Sequence, residues 1–501
     1  MNLYQRFLDA AAGHESAVAV RSPGRGAWTH GELHEAVSRC AAVLLTAGVE
    51  PGDRVTVQVE KSIENLLLYL AVLRVGAVYM PLNTAYTEAE LEYFIGDAEP
   101  RMLVCAPERH PELARLGDRM GLAAVLTLGA DGSGTLTDAM TRAAPEAEVR
   151  GRDADDLAAI VYTSGTTGRS KGAMLSHGNL FANAATLRDI WGWRADDVLL
   201  HALPIYHVHG LFVALHCALL EPSSILLLPR FDVDTVLEAL PEATVLMGVP
   251  TFYVRLLADE RFDRERCAGM RLFISGSAPL LPETFDAFEA RTGVRILERY
   301  GMTEAGMITS NPLDGERVAG TVGFPLPDVE VRLRGTEGEP VPEGGVGVLE
   351  IRGPNVFSGY WRQPERTASE FRDGWFVTGD LAEQDPEGRV SIVGRHKDLI
   401  ISGGLNIYPR EIEAELNALP GIEESAVIGV PHADFGEAVM ALVVSTEDWP
   451  GETAVMASLK QRLAGFKVPR KVLRVDALPR NAMGKVQKKL LRDAYLDAFA
   501  N

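Results

Sequence analysis

Ten residues, Thr163-Ser-Gly-Thr-Thr-Gly-Arg-Ser-Lys-Gly172, follow directly on the apolar run Leu157-Ala-Ala-Ile-Val-Tyr162. Small residues let a backbone bend tightly and turn several N–H groups toward one anion. The hydroxyls of Thr163, Ser164, Thr166 and Thr167 add donors, and Lys171 adds a charge. The spacing is not that of a P-loop: Gly165 and Gly168 are three apart and Lys171 follows three later. A loop of this kind can cradle phosphate groups. A second feature is Arg255, within Met247-Gly-Val-Pro-Thr-Phe-Tyr-Val-Arg-Leu-Leu257, where eight of the eleven residues are apolar or aromatic if proline is counted. That composition predicts a largely buried helix, in which a guanidinium is costly unless an anion meets it.

Both features need a frame to hold them. The apolar spacing of His30–Ala47 and Leu66–Leu73 predicts helices. The short runs Asp53–Gln58, Ala77–Met80, Leu157–Tyr162, Ser224–Leu228, Thr244–Met247 and Arg271–Ser275 predict strands separated by helical stretches. That alternation implies an α/β architecture with largely parallel sheets. From Gly320 glycine and proline become frequent, and Val329–Leu333 and Val346–Arg352 alternate, which predicts an antiparallel region resembling a distorted β-barrel. After Gly394 the pattern shifts to α+β: a loop at Ile401–Gly404, a helix at Pro409–Asn417, strands at Glu424–Gly429 and Ala438–Val444, and a helix at Ala454–Leu463. We place a boundary there, giving an N-terminal domain 1–394 and a small C-terminal domain 395–501.

Composition narrows the partners. The chain has 501 residues and a net charge of −20, from 49 Lys plus Arg against 69 Asp plus Glu, so nucleic acid and membrane surfaces are disfavoured. The segment Lys460–Arg492 is the exception, with eleven basic residues against the single acid Asp476; it suggests a local anionic ligand. Cys40, Cys105, Cys217 and Cys267 have no paired spacing, and no signal peptide is visible, which predicts a cytoplasmic protein. The oligomeric state is not legible.

The chain resembles the adenylate-forming enzymes, which include acyl-CoA synthetases, adenylation domains and beetle luciferases. Besides the loop it carries Tyr300-Gly-Met-Thr-Glu304, Thr378-Gly-Asp380, Gly394-Arg-His-Lys-Asp398 and Pro479-Arg-Asn-Ala-Met-Gly-Lys485, in family order across nearly the whole sequence. The resemblance implies that a carboxylate is activated by ATP with Mg2+ as an acyl adenylate and passed to CoA, with the small domain mobile between the two steps. It implies that Thr163, Ser164, Gly165, Thr166, Thr167, Gly168 and Lys171 hold the β- and γ-phosphates. Gly276, Ala278, Pro279, Glu298, Tyr300, Gly301 and Met302 would then form the adenine side, with Tyr300 stacking on the base. Thr303 would contact the α-phosphate and Glu304 help hold Mg2+, a hard cation that keeps most of its waters. Asp380 would accept from the ribose hydroxyls beside Arg395. Lys485 would bridge the acyl carboxylate and α-phosphate, where charge grows in the transition state. Lys397 would be the hinge, and Ser402, Gly403 and Gly404 would leave room for the CoA thiol.

Amino-acid-activating relatives carry an Asp in the acyl pocket, whereas here the matching stretch Leu203-Pro-Ile-Tyr-His-Val-His-Gly-Leu-Phe212 has no acid. His207 matches a position beside the acyl carboxylate, while His209 reads as packing. The wording around Arg255, Ser277 and Tyr300 is similar to malonyl-CoA synthetases. That likeness implies a dicarboxylic substrate, one carboxylate reacting while Arg255 and Ser277 hold the other. Val208 and Met307 would lie near the α-carbon, where methylmalonate must fit a methyl. The alternative is an aryl or medium-chain acyl-CoA ligase of the same family.

Overall fold

The computed structural model describes residues 1–163, 170–402, 405–432, 435–463, 465–481 and 484–499. Two sheets form the bulk of the chain. A nine-stranded sheet runs from Phe324–Pro325 through Gly306–Ser310, Leu297–Met302, Leu272–Ser275, Val245–Gly248, Val198–His201, Ser224–Leu227 and Val18–Ser22 to Gly26–Thr29. Its middle strands are parallel and its ends antiparallel. A six-stranded sheet is ordered Ala124–Thr127, Met102–Cys105, Arg54–Gln58, Val78–Pro81, Leu157–Thr163, Lys171–Ser176, and only its last pair is antiparallel. The predicted strands fall within about a residue of those observed, because strands buried on both faces read as unbroken apolar runs.

Helix Ile63–Arg74 is buried along its whole length, and the Ser62 hydroxyl caps it by accepting from Asn65 N at 3.1 Å. No helix among the described residues is long and apolar enough to cross a membrane. All four cysteines are buried, and burial pushes the thiols of Cys40, Cys105 and Cys267 up to about 12.

A five-stranded antiparallel half-barrel, built on Glu330–Arg334, Gly347–Arg352, Phe371–Arg372, Trp375–Gln384 and Val390–Arg395, follows the two sheets. The last sheet has a separate core that includes Ile407, Ile412, Leu416, Val439 and Val443. Helix Pro409–Asn417 packs on it with the predicted bounds. The loop expected at Ile401–Gly404 is in part a strand. Ile400–Ser402 pairs antiparallel with Leu405–Ile407, and the Ile401 N–H donates to Glu437 at 2.8 Å. Apolar β-branched residues on either side of a glycine pair suit a hairpin arm as well as a loop. Gly403 and Gly404 themselves lie outside the described residues.

Candidate active site

The parallel strands of the larger sheet end side by side, and the segments that leave their carboxyl ends, 203–209, 249–255, 276–280 and 303–304, carry His207, Val208, Arg255, Gly276, Ser277, Ala278, Pro279, Thr303 and Glu304. Ligands bind at the carboxyl ends of such strands because loops and helix starts converge there.

The nucleotide side is internally paired. Asp380, on strand Trp375–Gln384, is buried; one carboxylate oxygen accepts from the Tyr300 hydroxyl and the other lies 2.6 Å from Arg395 Nε. Thr378 Oγ1 accepts from Asp380 N at 3.1 Å and so fixes the turn. The neighbouring Asp380 holds the Arg395 guanidinium above its usual range, and burial with Asp380 pushes the Tyr300 hydroxyl up. Glu298 is buried with Oε1 accepting from Leu280 N at 3.2 Å, and burial raises its carboxyl to about 7.

On the phosphate side, Ser164, Gly165, Thr166, Thr167 and Gly168 lie outside the described residues. Thr163 and Lys171 flank them as an antiparallel pair. Lys171 is buried rather than free in solvent: its ammonium lies 3.0 Å from Glu370 Oε1 and 4.1 Å from the centre of the Tyr360 ring. The Tyr360 hydroxyl, with one proton to give, stands 3.0 Å from Glu304 Oε1 and 2.7 Å from Glu370 Oε2. Burial raises the Glu304 carboxyl, and the nearest cation is already paired with Glu370. A divalent cation fits that charge shortage. No cluster of three or more His, Cys, Asp or Glu suited to a metal occurs among the described residues. Mg2+ held here would therefore draw its remaining ligands from phosphate and water.

The acyl side differs in kind. His207 and His209 border a turn of π-helix, His209–Ala214, an irregularity common at functional sites. Each has a buried Nε2 without a hydrogen-bond partner. Burial holds His207 down to about 4 and keeps His209 well below its usual range, with Arg299 adding repulsion. Ser277 adopts a φ of 71°, unusual for a residue other than glycine, and its Oγ lies 3.1 Å from His209 Nδ1. Val208 and Met307 are buried close by, Met307 anchored through Asn183. His209 is thus packed as expected and in addition bonded to Ser277.

The expectation of a largely buried helix around Arg255 is not met. In Pro250–Leu257 the buried residues are Pro250, Tyr253 and Leu256, spaced by three along one face. Val254 is half exposed and Arg255 is exposed on the other side. The helix's N-terminal turn meets the segment that carries Lys485: a β-carbon on Gly484 would sit 3.3 Å from the Thr251 hydroxyl. Burial lowers the Arg480 guanidinium, and repulsion from Arg255 adds to it.

Lys485 is exposed at the surface, yet the protein packed around it pushes its ammonium down to about 8; Arg395 and Lys397 add repulsion while Asp380 and Asp398 oppose it. These neighbours join Lys485 to the ribose side of the site. Asp398, beside Lys397, is held 2.8 Å from Arg492 on the last helix, Lys488–Ala494. Five of the eleven basic residues between Lys460 and Arg492 are engaged in ion pairs. Arg462, Lys467, Arg480, Lys488 and Arg492 pair with Glu415, Glu411, Glu424, Glu413 and Asp398.

Sequence reasoning passed over Tyr360 and Glu370, which tie the phosphate lysine to Glu304, and over Arg299, which is fully enclosed beside Gly276. Strand alternation was the available signal for Arg299: in Leu297–Met302 it faces away from Glu298 and Tyr300.

The chain matches the model of the AMP-binding enzyme over residues 7–361 and that of the AMP-binding enzyme C-terminal domain over 411–485. It is 38% identical to a feruloyl-CoA synthase of Amycolatopsis, with 96% of each protein covered. It is also 38% identical to the mitochondrial malonate–CoA ligase ACSF3 of Mus musculus, covering 94% of this chain and 87% of that one. Among solved structures, ATP-bound MatB from Rhodopseudomonas palustris superposes with a TM-score of 0.97 at 53% identity, covering 99% of both chains. Family motifs, fold and site order agree, and the chain belongs to the AMP-binding enzymes, ligases that join an acid to a thiol through an adenylate.

Proposed function

We propose that the protein is a malonate–CoA ligase, converting malonate, ATP and CoA to malonyl-CoA, AMP and pyrophosphate, with methylmalonate as a second substrate. The curated relatives named for ferulate and for malonate are equally identical to the chain, but its 53% identity to MatB over 99% of both chains favours malonate. The observation that carries the reading is the polar character of the acyl pocket. His207 and His209 present buried, unpartnered nitrogens there, an environment that penalises an aryl ring or alkyl tail and suits an acid with a second polar end.

In the first step a carboxylate oxygen attacks the α-phosphorus and pyrophosphate leaves. Lys485 and Thr303 neutralise the charge gathering between the two reactants, and Asp380 and Arg395 exchange their mutual pairing for the ribose. Glu304 would hold Mg2+, which shields the phosphates from the incoming carboxylate when bound. Ser164, Gly165, Thr166, Thr167, Gly168 and Lys171 would hold the departing pyrophosphate. In the second step residues 395–501 turn about Lys397 relative to 1–394, withdrawing Lys485 and bringing Ser402, Gly403 and Gly404 to the thiol. The CoA sulfur then attacks the acyl carbon and AMP leaves. The scattered, buried cysteines support a cytoplasmic setting.

The test is AMP release with ATP, Mg2+ and CoA, comparing malonate, methylmalonate, ferulate and octanoate. Turnover selective for malonate upholds the reading, whereas faster turnover of ferulate or octanoate rejects it in favour of an aryl or medium-chain ligase.

A further inference from the structure

Lys171 borders the phosphate loop, yet its side chain is buried and already engaged. Its ammonium lies 3.0 Å from Glu370 Oε1, and no other acid among the described residues comes within ion-pair reach. The face of the Tyr360 ring covers it at 4.1 Å. Glu370 is anchored independently of that lysine. Its N–H donates to Arg366 O at 3.2 Å and to Thr367 O at 3.1 Å, closing helix Pro364–Ser369, and its carbonyl accepts from Val377 N at 2.9 Å. On the side chain, Arg366 Nε donates to Oε1 at 2.6 Å and the Tyr360 hydroxyl stands 2.7 Å from Oε2. Burial raises the Glu370 carboxyl, but its bonds to Tyr360 and Lys171 outweigh that, so it is held below its usual range and stays ionised. Breaking a buried ion pair is costly when one charge is left alone. Here neither is: Glu370 keeps Arg366 and Tyr360, and Lys171 can move to a phosphate oxygen. The pair is built to be exchanged.

We propose that Glu370 is a positioning residue that competes with the β- and γ-phosphates for Lys171 and takes the ammonium back as pyrophosphate leaves. This rests on the adenylation reading above, in which Lys171 holds those phosphates. Time that the lysine spends on Glu370 is time withheld from the phosphates, so their apparent affinity falls by that fraction. The competition touches only the outer phosphates, and AMP, which lacks them, is indifferent to it. Glu370 thus weakens the hold on the first product without loosening the nucleotide that must stay.

The test follows turnover at fixed free Mg2+ and records the KM for ATP and the inhibition constants of pyrophosphate and AMP. Wild type, Glu370→Gln, Glu370→Asp, Lys171→Met and the double variant Lys171→Met with Glu370→Gln are compared. In Glu370→Gln the pyrophosphate inhibition constant and the KM for ATP should each fall about tenfold, with AMP inhibition unchanged. Glu370→Asp withdraws the carboxylate by one methylene and should move both constants the same way by less; it carries the test if Glu370→Gln does not fold. Lys171→Met should weaken pyrophosphate at least about tenfold, and adding Glu370→Gln should then change nothing further. Pyrophosphate bound equally or more weakly in both Glu370 variants means that the carboxylate only orients the lysine, and overturns the inference. So does a gain that persists in the Lys171→Met background, which is plain repulsion of phosphate, or an equal gain for AMP. Wild-type pyrophosphate inhibition in Lys171→Met also overturns it. The assay runs with whichever of malonate, methylmalonate, ferulate and octanoate the wild type turns over. A preference for ferulate or octanoate rejects the substrate reading alone, whereas the Glu370 outcomes judge this inference.

Discussion

On the nucleotide side of the site, Asp380 is answered by Tyr300 and Arg395, Lys171 by Glu370, and Glu304 by Tyr360. On the acyl side, Arg299, His207 and His209 hold buried nitrogens with nothing to bond. A ligand arriving on the first side replaces existing partners, so each exchanged bond nets only about 0.5–1.5 kcal/mol. A ligand arriving on the second side relieves a penalty already present in the empty protein. On the proposed function, affinity for the nucleotide would be spread over many small exchanges, and choice of acid would be concentrated in a few groups.

The sharpest probe of this contrast is Lys485→Ala. It should slow acid-dependent pyrophosphate exchange by about a thousandfold for every acid alike, because its charge serves the reacting centre and not the distal end. An acid-selective loss would break the contrast. Asp380→Ala comes next: it should raise the KM for ATP by about 10- to 100-fold while the ranking of acids stays as in wild type. A smaller and graded effect follows from pH. The Lys485 ammonium is held down to about 8, so it is charged below that value and loses its proton above it. Exchange, followed as kcat/KM in the free enzyme, should fall about tenfold per pH unit beyond the limb. Lys485→Arg should remove that limb, since a guanidinium stays charged. The least effect belongs to Arg492→Ala, which frees Asp398 beside Lys397, the proposed hinge. It should change the ratio of exchange to thioester formation by only about two- to threefold, leaving ATP affinity and acid preference untouched.

The strands were legible because they are short, apolar and bounded by glycine and proline, and the nucleotide motifs because several widely spaced ones occur in order. At three places the sequence lacked what the structure adds, for a common reason. Arg255 was weighed by the composition of its window, but a helix sorts residues by angle, and Pro250, Tyr253 and Leu256 take the buried face without it. The basic run after Lys460 was counted along the chain, while the acids that pair with three of its members, Glu411, Glu413 and Glu415, stand on helix Pro409–Asn417. Arg299 drew no reading of its own, although alternation in strand Leu297–Met302 separates it from Glu298 and Tyr300. In each case the chemistry was visible one residue at a time and the geometry was not.

The family's second step depends on a free thiol reaching an activated acyl group, and the same anhydride would acylate any other accessible thiolate. Cys40, Cys105, Cys217 and Cys267 are all enclosed, and burial raises each thiol far above neutrality. The folded protein offers no thiol to capture its own intermediate or to form a mixed disulfide with CoA. Its cysteines are spectators by burial, so a thiol-reactive reagent should leave the native enzyme unmodified and label it only on unfolding.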